Sequence, residues 1–104
     1  MRREKIFVYG ALKESMIQKD IFGRVVKGEE GRLYGYTTKT ISVDGEIYPI
    51  AESGEANSYI DGLILDLTQK ELQCADVYEG DMYKRVSVLI HNDLVWVYVN
   101  PATR

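Results

Sequence analysis

The chain has 104 residues, of which 45% are hydrophobic and 28% charged, and this length predicts one compact domain over residues 1–104. Its 13 basic and 16 acidic side chains give a formal charge of −3, which leaves no excess of positive charge to neutralise a nucleic acid. The single cysteine, Cys74, excludes an intramolecular disulfide, and the single histidine, His91, argues against a zinc site.

The N-terminal part of the chain predicts one strand and one short helical segment. Residues 5–9 are β-branched and aromatic and end at Gly10, a pattern typical of a buried strand followed by a turn. The apolar stretch 6–12 is too short for a secretory signal or a membrane span. We therefore expect a cytoplasmic protein with no membrane partner. Residues 12–27 predict a short helix or an irregular crossover, because Gly23 limits a longer helix.

The next segment predicts a strand and then a hairpin. Residues 31–38 are typical of a strand, in which Gly35 marks a bulge or a close backbone approach. The Asp44-Gly45 pair lies between two further strand patterns and suits a type I′ turn, because both residue types tolerate positive φ. Pro49 has no amide hydrogen and is expected at a sheet edge or a strand end.

A strand followed by a capped helix is predicted after this hairpin. Residues 58–66 are strongly apolar, and Gly62 indicates a bulge where a curved sheet bends. Thr68 and Glu71 form a capping box, so a helix is expected over residues 69–77. The positions of this helix that we expect to be buried are Leu72, Ala75 and Val77.

The C-terminal residues predict a second hairpin. Residues 85–90 and 94–99 alternate in polarity on either side of an Asn92-Asp93 turn, and Trp96 and Tyr98 are expected in the core. The whole order gives about six strands and one clear helix. It predicts an α+β fold with a mostly antiparallel sheet that coils toward a barrel.

Most catalytic and cofactor motifs are absent from the sequence. There is no G-x-S-x-G elbow, and His91 lies at a predicted turn, which argues against a nucleophilic triad. Neither a Walker A loop nor G-x-G-x-x-G is present. Cys74 lies within the predicted helix and is interpreted as a small buried hydrophobic residue.

Two features remain that could carry chemistry. Gly10 ends a buried strand, and backbone amides at such a turn can bind a carboxylate or a developing oxyanion. Glu79 lies between Tyr78 and Gly80, with Tyr83 four residues later, so it could project from a loop into an aromatic cleft. Burial there would raise its pKa toward the range of a general base. The alternatives are a purely conformational glycine and a solvated glutamate.

The order of these features resembles the γ-glutamylcyclotransferase-like (AIG2-like) superfamily. Residues 9–12 resemble its Y-G-x-L signature, and residues 76–85 resemble its second signature, here D-x-x-E-G-x-x-Y-x-R. The resemblance extends from about residue 6 to residue 99. Residue 11 is alanine, where many relatives carry a hydroxyl. Arg85 is interpreted as the partner of a nearby acid or as a surface charge, and not as part of the site.

The resemblance implies a small β-barrel flanked by helices, with a cavity between the two signatures. It implies an enzyme that cyclises a γ-glutamyl group to 5-oxoproline and releases an amine or amino acid, without a metal or organic cofactor. The substrate would be a small γ-glutamyl compound. In this sequence the implied catalytic residue is Glu79, and the implied substrate-binding residues are Tyr9, Gly10, Ala11, Leu12 and Tyr83.

Other functions remain compatible with the sequence. The chain could be a non-catalytic module that keeps the fold and binds a small carboxylated ligand, because fold does not fix function. It could also act on a γ-glutamylamine or on an acylated carrier protein, or use its aromatic strands as a protein interface. The leaving group and the oligomeric state are not predicted from the sequence.

Overall fold

A computed structural model describes residues 3–103. Among these residues are seven strands, two α-helices and two short 3-10 helices. The strands are β1 (Arg3–Val8), β2 (Glu29–Tyr34), β3 (Tyr36–Val43), β4 (Glu46–Ser53), β5 (Tyr59–Thr68), β6 (Lys84–Ile90) and β7 (Asp93–Val99). The helices are α1 (Ser15–Phe22) and α2 (Gln69–Glu79), and the 3-10 helices are Ala11–Lys13 and Gly80–Met82.

All seven strands belong to one mixed sheet. Its order is β2-β5-β1-β7-β4-β3, and β6 pairs with β7 as well. Four of the pairings are antiparallel, whereas β7 runs parallel to both β1 and β4. The sheet curls into a half-barrel with the two α-helices beside it. The predicted α+β class with a curved, mostly antiparallel sheet is therefore confirmed.

The core lies on both faces of β1, because successive side chains of a strand point to opposite faces. Ile6 and Val8 pack in one cluster with Leu72 and Ala75 of α2. Phe7 packs in a second cluster, with apolar residues of β2, β4, β5, β6 and β7. The central strand thus supports the helices on one side and the curled sheet on the other.

The helices largely follow their sequence signals. Helix α1 ends at Gly23, which has a φ of +76°, so the short helix is confirmed. The Thr68 hydroxyl accepts a hydrogen bond from the Glu71 amide at 3.1 Å, and the Glu71 carboxylate accepts one from the Thr68 amide at 2.9 Å, which confirms the capping box. The buried position predicted for Val77 is wrong, because its side chain is 83% exposed. It lies five residues from Leu72, off the face that Leu72 and Ala75 share.

Two glycine predictions need correction. Gly35 has a φ of +84° and lies in a turn that separates β2 from β3, so it is not a bulge within one strand. Gly62 does not form a bulge, since it pairs with Gly31 of β2 in an unbroken register and the pairing of β5 with β1 begins at the next residue, Leu63. A Cβ at Gly62 would instead overlap the carbonyl oxygen of Val8 and the ring of Phe7. Gly62 therefore permits a close approach of β5 to β1.

The two hairpin turns are outlined by residues with positive φ. Asp44 and Gly45 have φ values of 51° and 82°, as expected for the predicted type I′ turn. In the C-terminal hairpin the residues with positive φ are His91 and Asn92, one residue earlier than predicted. Pro49 lies in β4, two residues before Ala51, where β4 pairs with β7.

Among residues 3–103, no helix is both long and apolar enough to cross a membrane.

Candidate active site

A cavity of about 250 Å³ lies between the end of β1, the end of α2 and the β3–β4 hairpin. All six site residues predicted from the sequence line it: Tyr9, Gly10, Ala11, Leu12, Glu79 and Tyr83. The other lining residues are Phe7, Val8, Ile41, Val43, Tyr48, Pro49, Tyr78, Met82 and Tyr98. The hairpin residues among them were not anticipated from the sequence.

The loop after β1 lines the cavity and contains the first 3-10 helix. Its 3-10 helix begins with hydrogen bonds from the Lys13 amide to the Gly10 carbonyl at 3.0 Å and from the Glu14 amide to the Ala11 carbonyl at 2.9 Å. The first amides of such a helix, those of Ala11 and Leu12, have no carbonyl partner within it. A Cβ added to Gly10 would lie 3.2 Å from Cγ of Pro49, so glycine lets this loop approach β4 closely.

The side chain of Tyr9 holds together the point at which three strands meet. Its hydroxyl donates to the Tyr98 carbonyl at 2.6 Å and accepts from the Ala51 amide at 2.9 Å. It thus bridges β7 and β4 just beyond the end of β1. Burial raises the pKa of the Tyr9 phenol, so it stays neutral. The side chain thus fixes the scaffold at a residue that lines the cavity.

Gln18 supports the same loop from helix α1. Its side chain is 2% exposed, and its amide nitrogen donates to the Leu12 carbonyl at 2.8 Å. Its amide oxygen accepts from the Val26 amide at 2.9 Å. This residue was not predicted from the sequence, because a glutamine in a short amphipathic helix is ordinarily expected on the solvent side.

Glu79 is the last residue of α2, not a loop residue as predicted. The helix stops at Gly80, which has a φ of +64° and donates its amide to the Asp76 carbonyl. Burial raises the pKa of the half-buried Glu79 carboxyl to about 7. A carboxyl with this pKa is present in both protonation states at neutral pH, so it can accept a proton and return it.

Tyr83 connects the end of α2 to β4. Its hydroxyl donates to the Pro49 carbonyl at 2.7 Å. Burial, together with the nearby Glu79 carboxylate, raises the pKa of the Tyr83 phenol to about 12. Tyr83 therefore forms a neutral wall of the cavity and also fixes the turn that follows Glu79.

Asp76, one turn before Glu79, binds two side chains from the C-terminal hairpin. Its carboxylate accepts from Arg85 Nε at 2.9 Å and from the Tyr98 hydroxyl at 2.7 Å. The Arg85 guanidinium also lies 4.3 Å from the centre of the Trp96 ring. The predicted pairing of Arg85 with an acid is thus confirmed. The buried position predicted for Tyr98 is confirmed as well, whereas Trp96 is half-buried.

The remaining reactive side chains lie away from the cavity lining. His91 is exposed at the hairpin turn, and Cys74 is half-buried, not fully buried as predicted. Within residues 3–103, no group of three or more His, Cys, Asp or Glu side chains is placed to hold a metal ion. The site thus consists of one carboxyl, backbone amides and aromatic walls.

Known proteins share both the sequence pattern and the fold. The chain is 40% identical over 80 residues to a Methanocaldococcus jannaschii protein whose name describes a gamma-glutamylcyclotransferase and a proposed RNase. The matched region makes up 75% of this chain and 35% of that protein. It is 33% identical to AIG2-like protein B of Arabidopsis thaliana, covering 80% of this chain and 47% of that protein. The chain therefore spans less than half of each of these curated relatives.

Solved structures carry the same fold. A solution structure from Arabidopsis thaliana superposes with a TM-score of 0.78 at 26% identity, covering 96% of this chain and 63% of that one. An AIG2-like protein from Mus musculus superposes with a TM-score of 0.73 at 18% identity, covering 100% of this chain and 81% of that one. The family model for gamma-glutamyl cyclotransferase, AIG2-like, matches residues 6–104. With nearly the whole chain matched, the protein belongs to the gamma-glutamyl cyclotransferase, AIG2-like family.

Proposed function

We propose that this chain is a cyclotransferase that converts a γ-glutamyl compound into 5-oxoproline and a free amine, with Glu79 as general acid and base. One observation carries the proposal. The Glu79 carboxyl and the loop of residues 9–12 line the same cavity, and burial holds the pKa of Glu79 at about 7. The membership in the family supports the same reaction class.

The reaction moves two protons from the α-nitrogen of the substrate to the departing nitrogen. At neutral pH the α-amine of the substrate is protonated and cannot attack, so the Glu79 carboxylate first accepts a proton from it. The neutral nitrogen then forms a bond to the γ-carbonyl carbon. Glu79 gives its proton to the departing nitrogen, and the original amide bond breaks. The ring nitrogen then loses its second hydrogen as a proton, which Glu79 passes to the released amine, so that the amine departs as an ammonium ion. The products are 5-oxoproline and the free amine, and no water is consumed.

The loop amides are suited to the negative charges of the substrate. The Ala11 and Leu12 amides, at the start of their 3-10 helix, can donate to the substrate's α-carboxylate or to the oxygen that becomes negative in the transition state. Donors aimed at such an oxygen contribute about 10²- to 10³-fold in rate. Because these donors are backbone groups, Ala11 in place of a hydroxyl residue leaves them unchanged.

The cavity walls contribute by holding the substrate in shape. A γ-glutamyl chain is flexible and closes its ring only when the amine approaches the γ-carbonyl, so a narrow cavity reduces the entropy lost in reaching that geometry. Tyr9 and Tyr83 are fixed by hydrogen bonds at 2.6 and 2.7 Å. These fixed rings favour one bent conformation of the bound chain.

The test is direct product detection. We would incubate the folded chain with γ-glutamyl amino acids, γ-glutamylamines and glutathione, and quantify 5-oxoproline. The Glu79→Gln variant should lose about 10²- to 10⁴-fold in rate, the range of general acid–base catalysis. The matched control is Glu55→Gln, at an exposed loop position outside the cavity, and it should keep full activity.

Two results would contradict the proposal. Equal activity in Glu79→Gln and the unmodified chain would remove Glu79 from the mechanism. Absence of product from every compound, with folding verified and binding of γ-glutamyl compounds retained, would instead identify a non-catalytic binding module.

A further inference from the structure

We propose that Gln18 is a positioning residue for the loop of residues 9–12, and that its side-chain amide sets the direction of the backbone donors that the proposed reaction uses. This inference rests on the proposed function. Gln18 belongs to helix α1 and lies outside the cavity lining, so it acts through the loop and does not touch the substrate.

Gln18 is a buried amide among apolar side chains. It is 2% exposed, and the two residues that it binds, Leu12 and Val26, belong to the apolar cluster around β1. A buried amide is costly unless its donor and its acceptor are both paired. The reverse orientation of this amide would place donor against donor and acceptor against acceptor. The side chain is therefore held at both ends in one orientation.

The bond from Gln18 completes a set of three that occupies the carbonyls of residues 10–12. The carbonyls of Gly10 and Ala11 accept from backbone amides of the following turn, at 3.0 and 2.9 Å. The carbonyl of Leu12 accepts from the Gln18 side chain at 2.8 Å. The first two bonds are local to the chain around the turn, whereas the third ties the turn to the side of helix α1.

These bonds set the direction of the loop amides. In a trans peptide the carbonyl of one residue and the amide of the next share a rigid plane and point in opposite directions, and residues 3–103 contain no cis peptide bond. The bonded carbonyls of Gly10 and Ala11 thus direct the amides of Ala11 and Leu12 the other way. The Lys13 amide, which binds the Gly10 carbonyl, shares its plane with the Leu12 carbonyl. A shift of the Leu12 carbonyl would therefore be passed on to the Ala11 amide.

The other end of Gln18 is attached to a fixed segment. Its oxygen accepts from the amide of Val26, which lies in the connection from α1 to β2. Before this point the Arg24 guanidinium donates to both oxygens of the Glu71 carboxylate, at 2.7 and 2.8 Å. After it, a Cβ on Gly28 would lie 2.9 Å from a side-chain atom of β5, so the connection packs closely on the sheet. Gln18 thus holds the loop at a set distance from a fixed backbone amide.

Removing the amide while keeping its volume tests this role. In Gln18→Met the side chain fills a similar space but cannot donate to the Leu12 carbonyl. We expect kcat/KM for 5-oxoproline release to fall by about tenfold or more. The fall should come mainly from a higher KM, because the displaced donors hold the substrate before the reaction as well as during it. An unchanged KM would overturn the inference.

Leu67→Ala separates positioning from loss of stability. Leu67 is fully buried in the same cluster and lies outside the cavity lining, so its truncation weakens the core without removing a side-chain hydrogen bond. The folded variant should keep the KM of the unmodified chain. An equal rise in KM in Gln18→Met and Leu67→Ala would show that stability, and not the position of the loop, governs the site.

Gln18→Glu makes the same contact depend on protonation. A neutral carboxyl can donate to the Leu12 carbonyl and accept from the Val26 amide, whereas a carboxylate cannot donate and repels the carbonyl oxygen. The probe is 5-oxoproline, the product of the proposed reaction for any γ-glutamyl substrate, whose charge is constant between about pH 5 and pH 9. A Glu79→Gln background removes the titration of that carboxyl from the measurement.

Calorimetry in this background compares Gln18→Glu with the form that keeps Gln18. The two should bind 5-oxoproline with the same Kd at about pH 5, and the Kd of Gln18→Glu should be at least about tenfold higher at about pH 9. The form that keeps Gln18 should show no such rise. Equal Kd values in the two forms at both pH values, with folding verified, would overturn the inference.

Binding of 5-oxoproline also separates this inference from the proposed function. If no γ-glutamyl compound is converted but Gln18→Met and the ionised Gln18→Glu bind 5-oxoproline more weakly, the cyclotransferase proposal fails and the positioning role stands. If Gln18→Met forms product with the KM of the unmodified chain, the cyclotransferase activity stands and the inference fails. If the chain neither converts a γ-glutamyl compound nor binds 5-oxoproline, both proposals fail.

Discussion

Two walls enclose the cavity, and they are held in different ways. The inner wall consists of the loop of residues 9–12 and the end of α2. Hydrogen bonds from Tyr9 fix the loop to β4 and β7, and one from Gln18 fixes it to α1. The outer wall is the β3–β4 hairpin, whose cavity-lining side chains Ile41, Val43 and Tyr48 are half-buried. The comparison indicates that hydrogen bonds hold the inner wall in place, whereas the more exposed outer wall tolerates change.

The largest difference between the walls should appear when a methyl group is added to a glycine. Behind the inner wall, Gly62→Ala would force a Cβ against the Val8 carbonyl and the Phe7 ring. We expect a loss of about 3 kcal/mol in the free energy of unfolding, or failure to fold. At the tip of the outer wall, no atom lies within 4 Å of a Cβ added to Gly45.

The matched substitution Gly45→Ala should therefore cost only about 1 kcal/mol, the penalty for placing alanine at positive φ. Denaturant titration of both variants measures the two free energies. Similar losses in the two variants would show that the inner wall is not the more constrained one.

A smaller effect is expected from removing single hydroxyl groups. Tyr9→Phe leaves the Ala51 amide without its acceptor and the Tyr98 carbonyl without that donor, at positions where both residues are buried. We expect a loss of about 2 kcal/mol in stability. Tyr83→Phe removes one bond, to Pro49, and should cost about 1 kcal/mol. Thermal unfolding measures the Tm of both variants. A lower Tm for Tyr83→Phe than for Tyr9→Phe would contradict this expectation.

An effect similar in size to that of Tyr9→Phe is expected in the pH dependence of stability. Burial raises the pKa of Glu79 from 4.5 to about 7, so the folded state binds a proton more tightly than the unfolded chain. The stability contributed by this proton is complete below about pH 4.5 and is lost as pH rises through 7.

The unmodified chain should therefore lose about 2–3 kcal/mol between pH 5 and pH 8 relative to Glu79→Gln. The denaturant midpoints of both proteins across this range measure the difference. Parallel curves would mean that the Glu79 carboxyl is solvated in the folded state.

Local chemistry made parts of the fold predictable. The Asp44-Gly45 turn and the Thr68–Glu71 capping box are specified by a few consecutive residues, and both form as expected. Gly35 and Gly62 were misassigned because glycine permits a turn, a bulge and a close approach alike. The bounds of the strands show that Gly35 lies between β2 and β3. The contacts that a Cβ would make at Gly62 show that this glycine permits the close approach of β1.

The two walls also differ in how far the sequence indicated them. The inner wall was predicted because short motifs at residues 9–12 and 76–85 resemble those of the family. The outer wall was not, because its position depends on the parallel pairing of β4 with β7 at Ala51, a contact between segments far apart in the chain. Glu79 was assigned to a loop because the helix end is set by Gly80 and not by the last apolar residue.

The most direct test of the account is the titration of the Glu79 carboxyl itself. Its ¹³C side-chain resonance, assigned by its absence in Glu79→Gln, can be followed by NMR as a function of pH in the unmodified chain. The account predicts a midpoint near 7, because burial in the cavity disfavours the charged form. A midpoint near 4.5, the ordinary value for this group, would contradict its role as a proton acceptor and donor at neutral pH.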